Sequence, residues 1–157
     1  MIIGRGDISK AITDKEDFIF YASGNSNRKP LTQASEDKEH MEVYRLAQDY
    51  PKSNMFVYIS TLSVYYSDSK YTKHKMRMEA RVRKWFRNYA IIRIGNITWG
   101  DNPNTLINYL KNNKAEIQDT YRYLLDKDEL SHWINMIPDK GQHEMNVTGI
   151  RTLVKDI

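Results

Sequence analysis

Apolar residues are distributed along this chain in two alternating textures. Short, unbroken apolar runs stand at Met1–Ile3, Phe18–Ala22, Met55–Ser60 and Ala90–Ile94, with glycine, serine, asparagine or charged residues around them. Runs of that length, apolar throughout and rich in β-branched and aromatic residues, predict strands buried on both faces. Between them lie longer stretches with helical spacing. From Thr32 to Tyr50, Met41, Tyr44 and Ala47, with Val43 and Tyr50, recur at three, four and seven, which predicts a helix with one buried stripe, closed by Pro51. A highly charged helix is predicted from Tyr71 to Asn88, its stripe running through Lys75, Met78, Val82 and Trp85/Phe86. Shorter helical patterns cover Ile8–Ile12, Thr105–Asn113 and Asp128–Met136, and smaller strand candidates are Tyr121–Leu125 and Met145–Val147. Strands separated by helices predict an α/β fold, a parallel sheet with helices on both faces. No repeat or linker divides the chain, so residues 1–157 are read as one compact domain.

Composition narrows the function more than the fold. With no cysteine, disulfides, Cys-based zinc sites and thiol catalysis are excluded. No apolar run approaches the ~20 residues needed to cross a bilayer. Met1-Ile2-Ile3-Gly4-Arg5 does not resemble a signal peptide either, so a cytoplasmic protein without membrane contact is expected. The net charge of +4 is too mild to imply nucleic acid. The four histidines are scattered, which gives no reason to expect a metal site, and no Gly-x-Ser-x-Gly elbow suggests a serine hydrolase.

Two constellations carry candidate chemistry. Gly4-Arg5-Gly6-Asp7-Ile8-Ser9 sits at a strand-to-helix turn, where small residues let the backbone approach a pyrophosphate. Against a dinucleotide reading, the next strand ends in Tyr21-Ala22-Ser23-Gly24, without the acid that would hold an adenosine ribose. The second is Tyr71 and Lys75, at i and i+4 on one helix face. A lysine cation beside a phenol favours the phenolate, lowering a pKa that is otherwise about 10 and suiting the tyrosine to proton exchange. With 11 Tyr and 14 Lys in the chain, about one such pair arises by chance, and Tyr66/Lys70 and Tyr123/Lys127 share the spacing. Only Tyr71 opens a long helix directly after a buried strand that ends in Ser60-Thr61-Leu62-Ser63, at the position where open α/β sheets bind ligands.

These residues, in this order, resemble the extended short-chain dehydrogenase/reductase superfamily, the NAD-dependent epimerase/dehydratase (nucleotide-sugar) family. Val57-Tyr58-Ile59-Ser60-Thr61-Leu62-Ser63-Val64-Tyr65 is similar to the family's strand with its Ser/Thr and Val-Tyr signature. Tyr71 and Lys75 match its Tyr-x-x-x-Lys, and Arg93-Ile94-Gly95-Asn96-Ile97-Thr98-Trp99-Gly100 resembles its Arg-x-x-Asn-x-x-Gly segment. Tyr121–Asp128 is similar to the substrate-binding run that contains an arginine, here Arg122. The resemblance implies a Rossmann-like oxidoreductase or isomerase that uses NAD or NADP on a nucleotide-sugar, as a homo-oligomer joined through helix 71–88. It makes Tyr71 the general acid/base, Lys75 its partner and a ribose contact, and Thr61 the hydroxyl that orients a substrate oxygen. Gly4, Gly6, Ser9, Ser23 and Gly24 would contact the cofactor, and Asn96 and Arg122 the substrate. The chain departs from the family where only a few residues separate the first helix from the Phe18 strand: the family's second and third strands are missing, and the adenosine pocket with them.

Two other readings remain at this stage. A non-catalytic remnant of the same fold would serve as a binding or regulatory module. A nucleic-acid binder would use Lys70, Lys73, Lys75, Arg77, Arg81, Arg83, Lys84 and Arg87, interleaved with Tyr71, Trp85 and Phe86. This is the weaker of the two, because no known nucleic-acid module matches.

Overall fold

A computed structural model describes residues 1–24, 31–103, 105–112 and 120–157. Five strands, β1 (Ile2–Ile3), β2 (Phe18–Tyr21), β3 (Met55–Thr61), β4 (Tyr89–Ile94) and β7 (Gln142–Val147), form one sheet in the order β1-β2-β3-β4-β7, and every neighbouring pair is parallel. A smaller sheet joins β5 (Asn96–Ile97) parallel to β6 (Tyr121–Leu125) and β6 antiparallel to β8 (Ile150–Leu153). The helices are α1 (Gln33–Asp49), α2 (Lys70–Trp85), α3 (Leu106–Asn112) and α4 (Lys127–Asn135).

The strands form where the apolar runs predict them, because β2 and β4 are buried along their whole length and β3 up to its last residue. Alternate residues of each strand supply two separate cores. Phe18, Phe20, Val57, Ile59, Ala90 and Ile92 face α4 and the short 3₁₀ turn Ser9–Ala11. Ile19, Tyr21, Phe56, Tyr58 and Ile91 face α1 and α2. The sheet therefore has cover on both faces, as a Rossmann-like fold requires. Each main helix starts on a side-chain cap: Thr32 accepts from the Ser35 amide at α1, Ser69 from the Thr72 amide at α2, and Asp126 from the Glu129 amide at α4.

Several expectations change. The helix predicted over Ile8–Ile12 is only a 3₁₀ turn, too short to sum a useful dipole at its start. The stripe of α1 is Glu39, Val43 and Ala47, spaced by four, whereas Met41, Tyr44 and Tyr50 of the predicted stripe are exposed. A buried glutamate won that face because partners on α2 and β3 satisfy it. β5 and β8 were not predicted, since they are short and their apolar pattern is weak. Asn113, at the end of one predicted helix, lies outside the described residues. β1 is the terminal strand of the large sheet, and among the described residues no strand pairs on its far side.

Candidate active site

A cleft of about 1140 Å³ opens across the C-terminal ends of the parallel strands. It is lined by Gly6, Ser23, Gly24, Thr61, Tyr71, Lys75, Asn96 and Arg122, with Arg5, Tyr66 and Leu106 also on its walls. In parallel sheets the strand ends and the loops after them leave this crevice, so the location follows from topology. Gly4 and Ser9 lie behind it. Gly4 has φ +131°, and a Cβ there would come within 2.8 Å of the Ala22 carbonyl oxygen, so this glycine allows β1 to lie against the end of β2. Ser9 donates its hydroxyl to the Gly6 carbonyl at 2.6 Å and holds the turn.

One wall carries Thr61 and Ser63, the cleft end of a ladder of hydroxyls that runs back to α2. Thr61 ends β3, and its Oγ1 accepts from the Ser63 amide at 3.1 Å. Ser63 Oγ lies 3.0 Å from Thr72 Oγ1, and Ser69 donates to Thr72 at 3.1 Å while capping α2. The end of β3 is thereby fastened to the first turn of α2, which carries Tyr71. Burial pushes the Tyr71 phenol above its ordinary range; the Lys75 cation opposes this, the Glu39 carboxylate adds to it, and a hydrogen bond from Thr61 opposes it. The expectation that Lys75 leaves this phenol below its usual range is not met, because desolvation outweighs the cation. The phenol is protonated at neutral pH.

Lys75 explains the shortfall. Its Nζ is 3% exposed by residue and donates to the Tyr58 hydroxyl at 3.3 Å, while its distance to the Tyr71 ring centroid is 5.8 Å. The ammonium stands 3.8 Å from Glu39 Oε2, and Tyr58 donates to the same carboxylate oxygen. Glu39 Oε1 lies 3.1 Å from His74 Nε2, and His74 Nδ1 lies 3.5 Å from Glu36, which pairs with Arg77 at 2.7 Å. A Cβ on Gly24 would approach Lys75 Nζ to 2.5 Å and Glu39 Oε1 to 3.2 Å. Any larger residue at this crossing would have to displace the Lys75 ammonium.

The opposite wall comes from β5 and β6. Asn96 donates to the Tyr123 carbonyl at 3.2 Å and Arg122 to the Tyr121 carbonyl at 3.0 Å. The Gly4–Asp7 turn is bound to this side too, since Trp99 donates its indole N–H to the Asp7 carbonyl at 2.9 Å and the Asn102 amide donates to Asp7 Oδ2 at 3.2 Å. Arg93, on the resemblance's Arg-x-x-Asn segment, serves the frame: it pairs with buried Glu79 and with Glu144 at 2.6 Å each, and Ser60 donates to Glu79 at 2.6 Å. Three basic residues of helix 70–87 are likewise occupied, Lys75 inside the fold, Arg77 by Glu36 and Arg83 by Glu79 and Glu144. Glu39, Tyr58 and His74 were missed by the sequence reading, although Glu39, Val43 and Ala47 already stand four apart.

No protein-family model matches the chain, and no curated protein matches it. Solved structures do. The enzyme WbmH of Bordetella bronchiseptica, in complex with NAD⁺, superposes with a TM-score of 0.63 at 13% identity, over 89% of this chain and 55% of that one. The UDP-glucuronic acid 4-epimerase of Bacillus cereus, in complex with UDP-glucuronic acid and NAD, gives 0.65 at 13% identity, over 89% and 56%. The dTDP-glucose 4,6-dehydratase of Bacillus anthracis, in complex with NAD, gives 0.65 at 15%, over 88% and 53%. The chain thus spans little more than half the length of these structures. No helix among the described residues is long and apolar enough to cross a membrane. The parallel sheet, its flanking helices and these superpositions establish a Rossmann-like fold, shared with these structures over the matched part.

Proposed function

We propose that this chain is a shortened member of the extended short-chain dehydrogenase/reductase superfamily and acts as one unit on a nucleotide-sugar with NAD or NADP. The observation that carries the reading is that Thr61, Tyr71 and Lys75 line the same cleft at the C-terminal end of a parallel sheet. The fit to a dinucleotide is uneven. Gly24, which leaves no room for a side chain beside Lys75, and the open backbone at Gly6 suit a ribose and a pyrophosphate, with Arg5 in the cleft as counter-charge. The adenosine end finds neither an acid after β2 nor a strand beyond β1 among the described residues. When bound, the nicotinamide supplies the hydride acceptor and donor.

The chain's own residues supply the proton chemistry. Tyr71, protonated at rest, gives its proton to a sugar oxygen or takes one from it. The Thr61 hydroxyl orients that oxygen, and its hydrogen bond stabilises the phenolate between transfers. Lys75 supplies the positive charge that opposes burial. Asn96 and Arg122 on the far wall face the substrate's polar groups. Titration with NADH and NADPH, with and without UDP- and dTDP-sugars, followed by nicotinamide fluorescence and calorimetry, tests this. Saturable binding supports it, and in an active preparation Tyr71→Phe should cost roughly 10²–10⁴ in turnover with the fold intact.

A second reading, a non-catalytic binding module, is favoured by one observation: among the described residues the sheet ends at β1, without the strands that would build the adenosine pocket. It predicts that neither cofactor binds even with sugars present.

A further inference from the structure

Glu39 has no part in the chemistry above, yet it is 2% exposed and lies at the base of the cleft's reactive corner. A carboxylate is costly to bury unless paired, and an apolar residue on the same stripe would fill the space at less cost. Three of its partners are themselves buried. His74 and Tyr58 hold its two oxygens, and Lys75 stands 3.8 Å away. We propose that Glu39 is a positioning residue of this site: clamped by Tyr58 and His74, it draws the Lys75 ammonium towards Tyr58 and the Gly24 crossing, and so limits the positive charge that reaches Tyr71.

The geometry supports this directly. Lys75 Nζ hydrogen-bonds Tyr58 and sits 5.0 Å from the Tyr58 ring centroid against 5.8 Å from that of Tyr71. The groups that act on Tyr71 are Lys75 on α2, Glu39 on α1, Thr61 at the end of β3 and Tyr66 in the following loop. Those around Glu39 are His74 and Lys75 on α2, Tyr58 on β3, and Tyr21 on β2, which donates to Glu42 at 2.6 Å. Among them Lys75 and Glu39 act on the Tyr71 phenol with opposite sign. Glu36, paired with Arg77, fixes the far side of the His74 ring. The Glu36–His74–Glu39 line thus sets the place of a charge on which Tyr71 depends. This deepens, and rests on, the assignment of Tyr71 as the proton-transfer group.

The test needs neither cofactor nor substrate. The full chain is prepared with 3-fluorotyrosine at position 71, whose ring is more acidic than tyrosine and whose ionisation is read by ¹⁹F NMR, and each variant's fold is checked by circular dichroism. In Glu39→Gln the fluorophenol should titrate at lower pH than in the parent, and in Lys75→Met at higher pH. The same substitution is made in the Lys75→Met chain, where no ammonium remains to be drawn away, and the downward shift should be smaller there than with Lys75 present. If Glu39→Gln fails to fold, because Lys75 is then buried without its counter-charge, Glu39→Asp, which keeps the charge and shortens its reach, takes its place in both chains. An unchanged titration in the folded variant, or an equal shift with and without Lys75, overturns the proposal. A parallel NADH titration keeps the two questions apart: a shifted fluorophenol without NADH binding upholds the role of Glu39 and rejects the redox function.

Discussion

The two faces of the large sheet are built on different principles. The α4 face is an apolar core, with Phe18, Phe20, Val57, Ile59 and Ile92 packed against Leu130 and Ile134 and no buried charge among the described residues. The α1/α2 face buries Glu39, His74, Lys75, Glu79 and Arg93 within the same sheet. Buried charges give weak net stability, since desolvation consumes most of the attraction. A chain that needed only to fold would treat both faces like the first. The contrast teaches that the α4 face holds the sheet together and gives the cleft apolar floor such as Ile59, while the other face holds charged side chains in place and brings Lys75 to the cleft.

Four perturbations break or sharpen this comparison. The largest is Phe20→Ala, which opens a void in the apolar face and should cost about 3–5 kcal/mol in urea unfolding while leaving the fluorophenol titration at position 71 unmoved where the protein is folded. Next, Glu79→Gln should cost about 3 kcal/mol, because Arg93 keeps only Glu144 as an anionic partner; a cost under 1 kcal/mol would mean the charged face is no more sensitive than an exposed one. Third, removing the caps as Ser69→Ala and Asp126→Ala should cost about 1 kcal/mol each, yet only the first should alter the Tyr71 titration, since Ser69 anchors the turn that carries Tyr71. Equal effects of both on Tyr71 would erase the distinction between the faces.

The smallest effect is on pH dependence. The Arg83 guanidinium beside Glu144, with Arg93 adding to it, holds that carboxyl below its ordinary value of 4.5. A depressed folded pKa means that the unfolded chain binds more protons between the two values. The stabilisation is therefore complete above the ordinary value and lost as pH falls through the folded one. Glu144 is partly exposed, so the effect is modest. The melting temperature of the parent should exceed that of Glu144→Gln near neutrality, and the two should converge in acid.

Much of this was legible in the sequence where periodicity and burial agree. Continuous apolar runs marked β2, β3 and β4, and the stripe Lys75, Met78, Val82 placed the inward face of α2 correctly, even though it begins with a lysine. The α1 stripe misled because Glu39 looks like a surface residue, and Met41 and Tyr44 look like core. Only the partners supplied from β3 and α2 reverse that assignment, and they are 19 and 35 residues away or more, at Tyr58 and His74. The Gly4-Arg5-Gly6 turn was visible, but not the close approach of Gly4 to the Ala22 carbonyl at the end of β2. A close approach of backbones leaves no spacing pattern. The net rise of the Tyr71 pKa was likewise illegible, because a charge pair can be read from i and i+4 while desolvation depends on everything packed around it.

The hydroxyl ladder from Thr61 through Ser63 and Thr72 to Ser69 has a consequence for recognition. Each of these short side chains already spends its rotamer on a neighbour 3.0–3.1 Å away. A ligand arriving at this wall therefore meets a fixed jaw. Its affinity is not diminished by freezing those groups, and selectivity among arrangements of polar atoms can come from distance alone, without any motion of these side chains.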